Sequence, residues 1–469
     1  MEHKEDLNWL YNSAPFPLNE KQKKFLDHFI NESPLHSTLL GLAGCGKSTL
    51  LSLLKKYYGD EIIFLGTTGV SSQNMPDGIG LGTGHGYLSL PTKPSDTYNH
   101  KKVSQKCSQL LGTSDLVKII VIDEAYLYNS DNLDMIWRRI ERFNKKTRNR
   151  KKRNIRLLLV GDVGQSLTIA NRDLKVELRN RWKSHLMFDS TVWERFDFTY
   201  YVLDKVERQE DKIFKSCLDV LRYYESHRFN KCLSWLNKRV NRNYDHTKTV
   251  LAATNKTVDS INKKVLALNP NPKIYYKPSI KGKFDMNDTL MRPNGVTLCK
   301  DLKVMAIVND KDGQWSNGSV GVVTSADTQG CWVKFDHLDS EVYVPIYTWE
   351  NKETYVAQVV QEDGSVKDTL KEKLLGSMEC IQLLPASAIS ISKSQGLTIK
   401  DEYVLELEDD SLYTWEKLED FGTNFAYLGL SRGTDINNIT LARPITKNHI
   451  KVSHESISFW FKCVEKSVI

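Results

Sequence analysis

The sequence contains no apolar run that approaches the roughly 18 residues of a membrane-spanning helix. Its opening residues, MEHKEDLNWL, lack the basic and apolar blocks of a secretory signal peptide. We therefore expect a protein that stays in the compartment where it is made. Since 40% of the 469 residues are hydrophobic and 26% are charged, the chain can form the cores of several domains.

Two further signals are weak in this sequence, namely the spacing of metal ligands and the net charge. The eight cysteines include no C-x-x-C pair, and no histidine lies at zinc-finger spacing. This scatter argues against a zinc module and favours reduced thiols over disulfide bonds. Because 65 basic residues face 58 acidic ones, the net charge is only +7, which permits a polyanionic partner without requiring one.

The segment GLAGCGKST, residues 41 to 49, carries the strongest chemical signal. Gly41, Gly46, Lys47 and Ser48 satisfy the pattern G-x-x-x-x-G-K-[ST] between an apolar run and a helix-like stretch. The backbone N–H groups of such a loop bind phosphates, the lysine reaches the outer phosphates, and the hydroxyl ligates magnesium. The pattern predicts ATP and Mg²⁺ as cofactors, and the alternative is a tight turn without a ligand. The predicted nucleotide contacts in this loop are Gly44, Cys45, Gly46, Lys47, Ser48 and Thr49.

Buried-strand runs followed by polar or helical stretches predict a parallel sheet with crossover helices, which is an α/β fold. The runs begin near residues 37, 62, 118, 156 and 198. Ligands of such sheets bind at the carboxyl ends of the strands, where the run VIDEA places Asp123 and Glu124. We expect Asp123 to ligate magnesium and Glu124 to act as the general base towards the attacking water. The alternative for this acid pair is a helix cap.

Three further side chains are candidates for contact with the γ-phosphate. Gln165 follows the next strand, in GDVGQ, and its amide can sense this group. The second half of the chain repeats the strand and turn alternation without a second phosphate loop, which suggests a second α/β unit that supplies arginines, with Arg208 in VERQ and Arg432 in LSRG as candidates. A guanidinium can stabilise the charge of a transferred phosphoryl group. The alternative is that all three are ordinary loop or surface residues.

The order of these motifs resembles that of a known family. The segments LNEKQ, GLAGCGKST, FLGTTG, TGHGYL, VIDEA, GDVGQ, VERQ, ATNKTVDSIN, SKSQGLT and YLGLSRG follow one another from about residue 18 to residue 434. They are similar to the helicase motifs of superfamily 1, and most similar to those of the group that contains RecD and the phage helicase Dda. The resemblance implies an ATP-dependent DNA helicase that translocates 5′ to 3′ on single-stranded DNA and separates the duplex ahead of it.

The same resemblance implies a fold class and roles for the site residues. It implies two RecA-like P-loop NTPase lobes with parallel sheets, a small pin insertion in the first lobe and an SH3-like β-barrel insertion in the second. Gln22 would read the adenine, and Gly396 would join the nucleotide site. The implied catalytic residues are those already singled out by their chemistry, Lys47, Asp123, Glu124, Gln165, Arg208 and Arg432.

The expected domain boundaries follow from the motif positions and from two long insertions. The second insertion contains short alternating strand runs separated by glycine and asparagine turns, which is typical of a small antiparallel barrel. The expected domains are lobe 1A at residues 1–85 and 117–202, the pin at 86–116, lobe 2A at 203–274 and 380–469, and the barrel at 275–379.

Contacts with DNA are expected on Thr67, Thr68 and His85, because their positions match motifs that contact DNA in the family and their side chains suit phosphate. The motifs depart from the usual pattern at Gly66, where the family has proline, and at Ser392, where it has histidine. For a lone threonine, a structural role is the alternative.

Aromatic residues in the two insertions are further candidates. In the pin, Tyr98 and then Tyr87 can stack on the last base pair of a duplex. The alternative for this segment is a plain surface loop. In the barrel we expect Trp315, Trp332 and Trp349 to serve in core or rim packing rather than as base platforms.

The sequence thus predicts single-stranded DNA and duplex junctions as partners of a monomer that binds no membrane. Single-strand-binding and replication proteins are further candidate partners, in DNA replication or repair. We expect the cytoplasm of a phage-infected or bacterial cell, with the nucleus as an alternative because of the basic run NKKTRNRKKRN at 144–154, which we interpret as a solvated linker. The alternative functions are an RNA helicase, a P-loop kinase and an ATP-gated binding switch.

Overall fold

The computed structural model describes most of the chain as two units, which are treated separately. The larger unit comprises Met1–Asp245, Val250–Thr254 and Ser390–Ile469, and the smaller comprises His246–Thr249 and Asn255–Ile389. The described residues are 6–67, 72, 75, 79–90, 103–112, 116–145, 152–165, 167–168, 170, 172–244, 248–284, 295–308, 310–315, 319–360, 366–395, 398–399, 401–409 and 424–469.

A six-stranded sheet in which every neighbouring pair is parallel forms the centre of the larger unit. This confirms the parallel sheet predicted from the five apolar runs. The sixth strand, Gly80–Thr83, was not predicted, because glycine is depleted in strands and its sequence GLGT has no apolar alternation. In spatial order the strands are Gly80–Thr83, Ile62–Gly66, Ile119–Asp123, Arg156–Gly161, His36–Gly41 and Phe198–Leu203.

Both faces of this sheet are buried, each in its own apolar cluster. Leu40 and Ile120 face one cluster, while their chain neighbours Leu39 and Val121 face the other. Successive side chains of a strand point to opposite faces, so a strand covered on both sides must be apolar throughout. This requirement explains the continuous apolar runs of the sequence.

Helices cover the faces of the sheet, and two of them begin at capping boxes. The helix Glu20–Asn31 begins at a capping box of Asn19 and Gln22, and the helix Ser130–Asn144 begins at one of Asn129 and Asn132. The helices described in the larger unit are Asn8–Tyr11, Glu20–Asn31, Lys47–Tyr58, Gly84–Tyr87, Gln105–Gly112, Ser130–Asn144, Arg172–Trp182, Lys212–Tyr223, Phe229–Leu236, Phe425–Leu430 and His454–Lys466.

A second, four-stranded sheet is built from the later part of the chain. Its two last strands, Tyr403–Glu406 and Ile439–Leu441, are parallel. The helix Phe425–Leu430 lies between these two strands in sequence, as in a crossover connection. The strand order is Ala388–Ser390, Thr249–Ala252, Tyr403–Glu406 and Ile439–Leu441.

The smaller unit holds the helix Asn255–Leu268 and two antiparallel sheets. One of the short strand runs expected in the second insertion is EVYVPI, residues 341–346, and its expected length was wrong: this strand runs over Val342–Val360 and pairs with Val366–Ile381. It continues because residues 346 to 360 contain neither glycine nor proline. The seven-stranded sheet has the order Leu383–Pro385, Lys303–Ala306, Val320–Ala326, Gly330–Phe335, Val342–Val360, Val366–Ile381 and Ser279–Gly282, and the two-stranded sheet pairs Val296–Cys299 with Lys273–Tyr276.

Side chains alternate across the strand Gly330–Phe335 as in a sheet with one buried face. Trp315 is buried and stacks on Phe335 with ring centroids 5.6 Å apart, which confirms its expected packing role. Trp332 is 42% exposed and lies 5.4 Å from the ring of Tyr343 on the neighbouring strand. Trp349 lies 4.8 Å from Tyr347.

The interpretation of residues 144–154 as a solvated linker was wrong for Arg153. Its guanidinium donates to the carbonyl oxygens of Leu111, at 2.8 Å, and Val117, at 2.5 Å. A basic side chain can thus bind backbone carbonyl groups of the fold even when it stands in a run of charges. The residues from 146 to 151 lie outside the described part of the chain.

Two further features bear on the expectations about compartment and redox state. Within the described residues, none of the helices is long and apolar enough to cross a membrane. All eight cysteines are buried as free thiols.

Arg156 joins the start of its strand to three neighbouring segments. Its guanidinium donates to the carbonyl oxygens of Phe29, at 2.6 Å, and Pro34, at 3.1 Å, and to the Tyr58 hydroxyl at 3.1 Å. It also lies 4.3 Å from the centroid of the Phe29 ring. The side chain therefore satisfies several buried acceptors at once.

Arg156→Met should lower the free energy of unfolding by about 2–4 kcal/mol, because these acceptors lose their donors while the apolar stem is kept. Urea denaturation followed by circular dichroism measures this change. Lys56→Met, at an exposed position of the helix Lys47–Tyr58, is the control and should change stability by less than about 0.5 kcal/mol. Equal effects of the two substitutions would contradict the assignment.

Candidate active site

The phosphate loop connects the strand His36–Gly41 to the helix Lys47–Tyr58. Gly44 and Gly46 have φ angles of +77° and +87°, which glycine adopts without strain. A Cβ atom at Gly46 would come within 2.5 Å of Nε2 of Gln22, and one at Gly44 within 2.5 Å of Cβ of Arg208. Both glycines are therefore required by backbone conformation and by close neighbours.

Lys47 lies at the start of this helix with its ammonium turned towards the loop. Its Nζ donates to the carbonyl oxygens of Gly41, at 2.9 Å, and Leu42, at 3.1 Å. The charge of Lys47 lowers the pKa of both Asp123 and Glu124, although burial outweighs this effect. A cation held on neutral carbonyl groups at a helix N-terminus fits a polyphosphate.

The acid pair stands at the carboxyl end of the strand Ile119–Asp123. Oδ1 of Asp123 accepts a hydrogen bond from the backbone N–H of Glu124 at 2.9 Å, and Glu124 has a φ of +52°. A non-glycine residue in this left-handed region is uncommon and clusters at functional sites. Burial raises the pKa of Asp123, and burial together with the neighbouring Asp123 raises the pKa of Glu124 to about 7. Such a carboxylate suits a general base near neutral pH.

Magnesium would be held by Ser48, in the first turn of the loop helix, and by Asp123. Hydroxyl and carboxylate oxygens are hard ligands of the kind that this ion prefers, and the ion usually takes its remaining ligands from phosphates and water. Within the described residues, no group of three or more His, Cys, Asp or Glu side chains forms a metal site. The donor set thus fits an ion that arrives with a nucleotide.

Gln165 lies one turn beyond the end of the neighbouring strand and is 6% exposed. Its Nε2 donates to Oδ2 of Asp162 at 3.3 Å. Its Oε1 has no hydrogen-bond partner among the described residues. A buried carbonyl oxygen without a donor is costly, and a ligand group such as a water molecule at the γ-phosphate can satisfy it.

Two arginines that follow the central sheet in sequence reach this site. Nη1 of Arg208 donates to the carbonyl oxygen of Ser431 at 2.7 Å. Arg432 is buried, and its Nε donates to the carbonyl oxygen of Leu428 at 3.1 Å. Burial and then the charge of Arg432 lower the pKa of Arg208 to about 10, while the charge of Arg432 also lowers the pKa of Glu124. The two guanidinium groups therefore lie near each other and near the acid pair.

Gln22 lies against the phosphate loop and is 1% exposed. Its Nε2 donates to the carbonyl oxygen of Cys45 at 3.0 Å, and its Oε1 accepts from the backbone N–H of Asn19 at 2.8 Å. A contact of Gln22 with adenine, which stays a prediction, would replace one of these two hydrogen bonds. Burial raises the pKa of the Cys45 thiol, and Thr49 is half-buried in the first turn of the helix.

The expected DNA contacts are only partly within the described residues. Thr67 is buried at the end of its strand, and its Oγ1 is without a hydrogen-bond partner in that part of the chain. Nδ1 of His85 lies 3.4 Å from the carbonyl oxygen of Leu90, and burial lowers its pKa. Thr68, Tyr98 and Gly396 lie outside the described residues. A role of these residues in DNA or nucleotide binding stays a prediction.

Sequence reasoning missed three residues beside Gln165. Oδ1 of Asp162 accepts from Nη2 of Arg222, and Oδ2 accepts from the Tyr427 hydroxyl at 3.2 Å. Asp162 and Tyr427 stand inside the motifs GDVGQ and YLGLSRG, which could have drawn attention to them. Arg222 belongs to an amphipathic helix with no motif, so nothing in its local sequence marks it.

Comparisons with known proteins find similarity to helicases. The family model of the PIF1-like helicases matches residues 17–243. The ATP-dependent DNA helicase RRM3 of Saccharomyces cerevisiae is 26% identical in an alignment of 415 residues that covers 83% of this chain and 54% of that protein. This chain thus spans about half the length of the curated relative that it matches.

Solved structures of two other proteins match nearly the whole chain. The Pif1 helicase of Bacteroides, in complex with ADP-AlF3 and single-stranded DNA, is similar with a TM-score of 0.69 and 24% identity over 96% of this chain and 98% of that one. The Pif1 helicase of Candida albicans is similar with a TM-score of 0.70 and 20% identity over 95% of this chain and 99% of that one.

The fold and the site together define a P-loop NTPase with two RecA-like lobes and a separate antiparallel, barrel-like insertion. This is the fold class predicted from the sequence. The family model covers just under half of this chain, and the solved structures match its fold. The finer placement beside RecD and Dda stays a prediction.

Lys47→Ala should reduce ATP hydrolysis by at least about a hundredfold, because the cation opposite the outer phosphates is lost from the transition state. Steady-state ATPase activity with saturating single-stranded DNA measures this. Lys55→Ala is the control, because Lys55 lies in the last turn of the same helix and pairs with Asp60. Near-normal turnover of the Lys47 variant would contradict the assignment of the phosphate loop.

Glu124→Gln should keep ATP and magnesium binding while turnover falls by about two to four decades, because the base is lost and the side-chain length is kept. Equilibrium nucleotide binding and turnover are measured on the same preparation. Asp123→Asn is the companion variant, and it should instead weaken the magnesium dependence. If Glu124→Gln changed the magnesium dependence more than Asp123→Asn, the two roles would be reversed.

Proposed function

We propose that this chain is an ATP-dependent DNA helicase that moves 5′ to 3′ along single-stranded DNA and separates the duplex ahead of it. The observation that carries the proposal is the position of Arg208 and Arg432. Both follow residue 203, where the expected second lobe begins, yet they lie beside the phosphate loop and Glu124. An ATPase whose second lobe supplies charge to the transition state can convert hydrolysis into relative motion of its lobes.

The residues of the site have distinct tasks in hydrolysis. Glu124 accepts a proton from the attacking water, whose oxygen bonds to the γ-phosphorus as the bond to the ADP oxygen breaks. Lys47, Arg208 and Arg432 stabilise the charge on the transferred group. Magnesium, when bound, neutralises part of the phosphate charge. The products are ADP and inorganic phosphate, and their release leaves the cations on their backbone carbonyl partners.

The relatives support the choice of nucleic acid as the partner. The Saccharomyces cerevisiae protein is described as an ATP-dependent DNA helicase, and the Bacteroides protein binds ADP-AlF3 and single-stranded DNA. The 5′ to 3′ direction and the closer relation to RecD and Dda rest on the motif resemblance. We also propose action as a monomer at duplex junctions, magnesium as the metal, and the domain boundaries given above.

Arg432→Ala should bind ATP and single-stranded DNA about as well as the parent but lose DNA-stimulated hydrolysis by about a thousandfold, as for loss of an arginine finger. Unwinding of a duplex with a 5′ single-stranded tail should be lost with it. Binding, ATPase activity and unwinding of 5′- and 3′-tailed duplexes are measured side by side. Arg239→Ala is the control, because Arg239 lies over Trp235, 4.1 Å from its ring centroid.

The same assays test the partner and the direction. The parent should hydrolyse ATP faster with DNA than with RNA or without nucleic acid, and it should leave the 3′-tailed duplex largely intact. An ATPase that ignores nucleic acid would overturn the helicase function and favour a kinase or a binding switch. Stronger stimulation by RNA would identify an RNA helicase, and opening of the 3′-tailed duplex would overturn the direction.

A further inference from the structure

The carboxylate of Asp162 collects hydrogen bonds from both halves of the chain. Its side chain has no exposed surface. Oδ1 accepts from the backbone N–H of Gly164, at 2.9 Å, and from Nη2 of Arg222. Oδ2 accepts from Nε2 of Gln165, at 3.3 Å, and from the Tyr427 hydroxyl, at 3.2 Å. Two of these four donors belong to the loop of Asp162 itself, and the other two, on Arg222 and Tyr427, come from the expected second lobe.

The hydroxyl of Tyr427 also contacts the phosphate loop. It accepts a hydrogen bond from the backbone N–H of Ala43 at 3.4 Å while it donates to Asp162. Tyr427 is 3% exposed and lies in the helix Phe425–Leu430, which ends just before Arg432. One hydroxyl group thus joins the phosphate loop, the loop of Gln165 and the helix that precedes Arg432, the candidate arginine finger.

Arg222 holds the other oxygen of Asp162 and is itself fixed by aromatic rings. Its guanidinium lies 4.2 Å from the ring centroid of Trp460 and 5.1 Å from that of Tyr223. A buried ion pair needs such additional contacts, because each unpaired charge would be costly. Asp162 therefore has one firmly held oxygen, Oδ1, and a second oxygen whose position depends on Gln165 and Tyr427.

We propose that Tyr427 is a positioning residue that acts through Asp162 to orient the side-chain amide of Gln165. This inference rests on the proposed function, because it assigns Gln165 to the γ-phosphate. The sensor in the first lobe is then in place only while the helix Phe425–Leu430 of the second lobe is docked. Arg432 follows that helix, so one docking event places both the arginine and the glutamine.

Oδ2 of Asp162 has two hydrogen-bond donors, and it loses one of them when the Tyr427 hydroxyl is removed. Asp162 then rotates towards the donors on Oδ1, and the acceptor that orients Nε2 of Gln165 moves with it. The Oε1 atom of Gln165, which has no partner among the described residues, turns away from the water position. Nucleotide binding does not require this amide, so affinity should change much less than turnover.

Tyr427→Phe removes only the hydroxyl and should lower kcat for DNA-stimulated ATP hydrolysis by about tenfold, while the Kd for ATP stays within about twofold. Tyr201→Phe is the matched control. Tyr201 is also buried, and its hydroxyl forms a hydrogen bond with Nδ1 of His28 at 2.9 Å. Stopped-flow nucleotide binding and steady-state turnover are measured for both variants.

A double-mutant cycle separates positioning from general loosening of the fold. In a Gln165→Ala background, Tyr427→Phe should lower kcat by less than about twofold, because the group that it orients is absent. A full tenfold loss in that background would overturn the proposal, as would a kcat of Tyr427→Phe equal to that of Tyr201→Phe.

Failure of this inference can be told apart from failure of the proposed function. The cycle is measured with and without single-stranded DNA. If DNA does not stimulate the parent, the helicase function fails, yet the cycle on the basal turnover still shows whether Tyr427 acts through Gln165. If DNA stimulates the parent and the cycle is additive, only the role of Tyr427 is overturned.

Discussion

The direction of parallel strands is the constraint on which the active site depends. Every strand of the central sheet ends at the same edge, so the segments that follow these ends meet there whatever their distance in sequence. The phosphate loop follows His36–Gly41, the acid pair closes Ile119–Asp123, and Asp162 follows Arg156–Gly161. The apolar packing on both faces of the sheet supports this arrangement, because it fixes the strands and thereby the positions of the loops that follow them.

Charge gives the site its second constraint. Lys47, Arg208 and Arg432 are gathered in one region, and the charge of Arg432, after burial, lowers the pKa of Arg208. Each of these cations donates to neutral backbone carbonyl groups. A polyphosphate anion relieves the repulsion between these cations, which is the sense in which the site is pre-organised for a nucleotide.

Local sequence was sufficient where one segment determines the structure. The glycine and lysine spacing predicted the phosphate loop, and continuous apolar runs predicted five strands of the central sheet, because both depend on neighbouring residues. The partners of Asp162 could not be predicted, since Arg222 and Tyr427 reach it only through tertiary packing. The strand Gly80–Thr83 lacks any apolar period, and the binding of Arg153 to Leu111 depends on a distant carbonyl group.

The capping box at Asn19 links the beginning of a helix to the phosphate loop. Gln22 caps the helix Glu20–Asn31 through its Oε1 and contacts Cys45 through its Nε2, so one planar amide serves two segments. A nucleobase that takes a hydrogen bond from this amide breaks one capping bond and so destabilises the first turn of the helix. Thermodynamic reciprocity then requires that whatever strengthens this turn weakens the hold on that base. If Gln22 makes the predicted adenine contact, the helix start competes with adenine for this amide, and its fraying forms part of the cost of nucleotide selection.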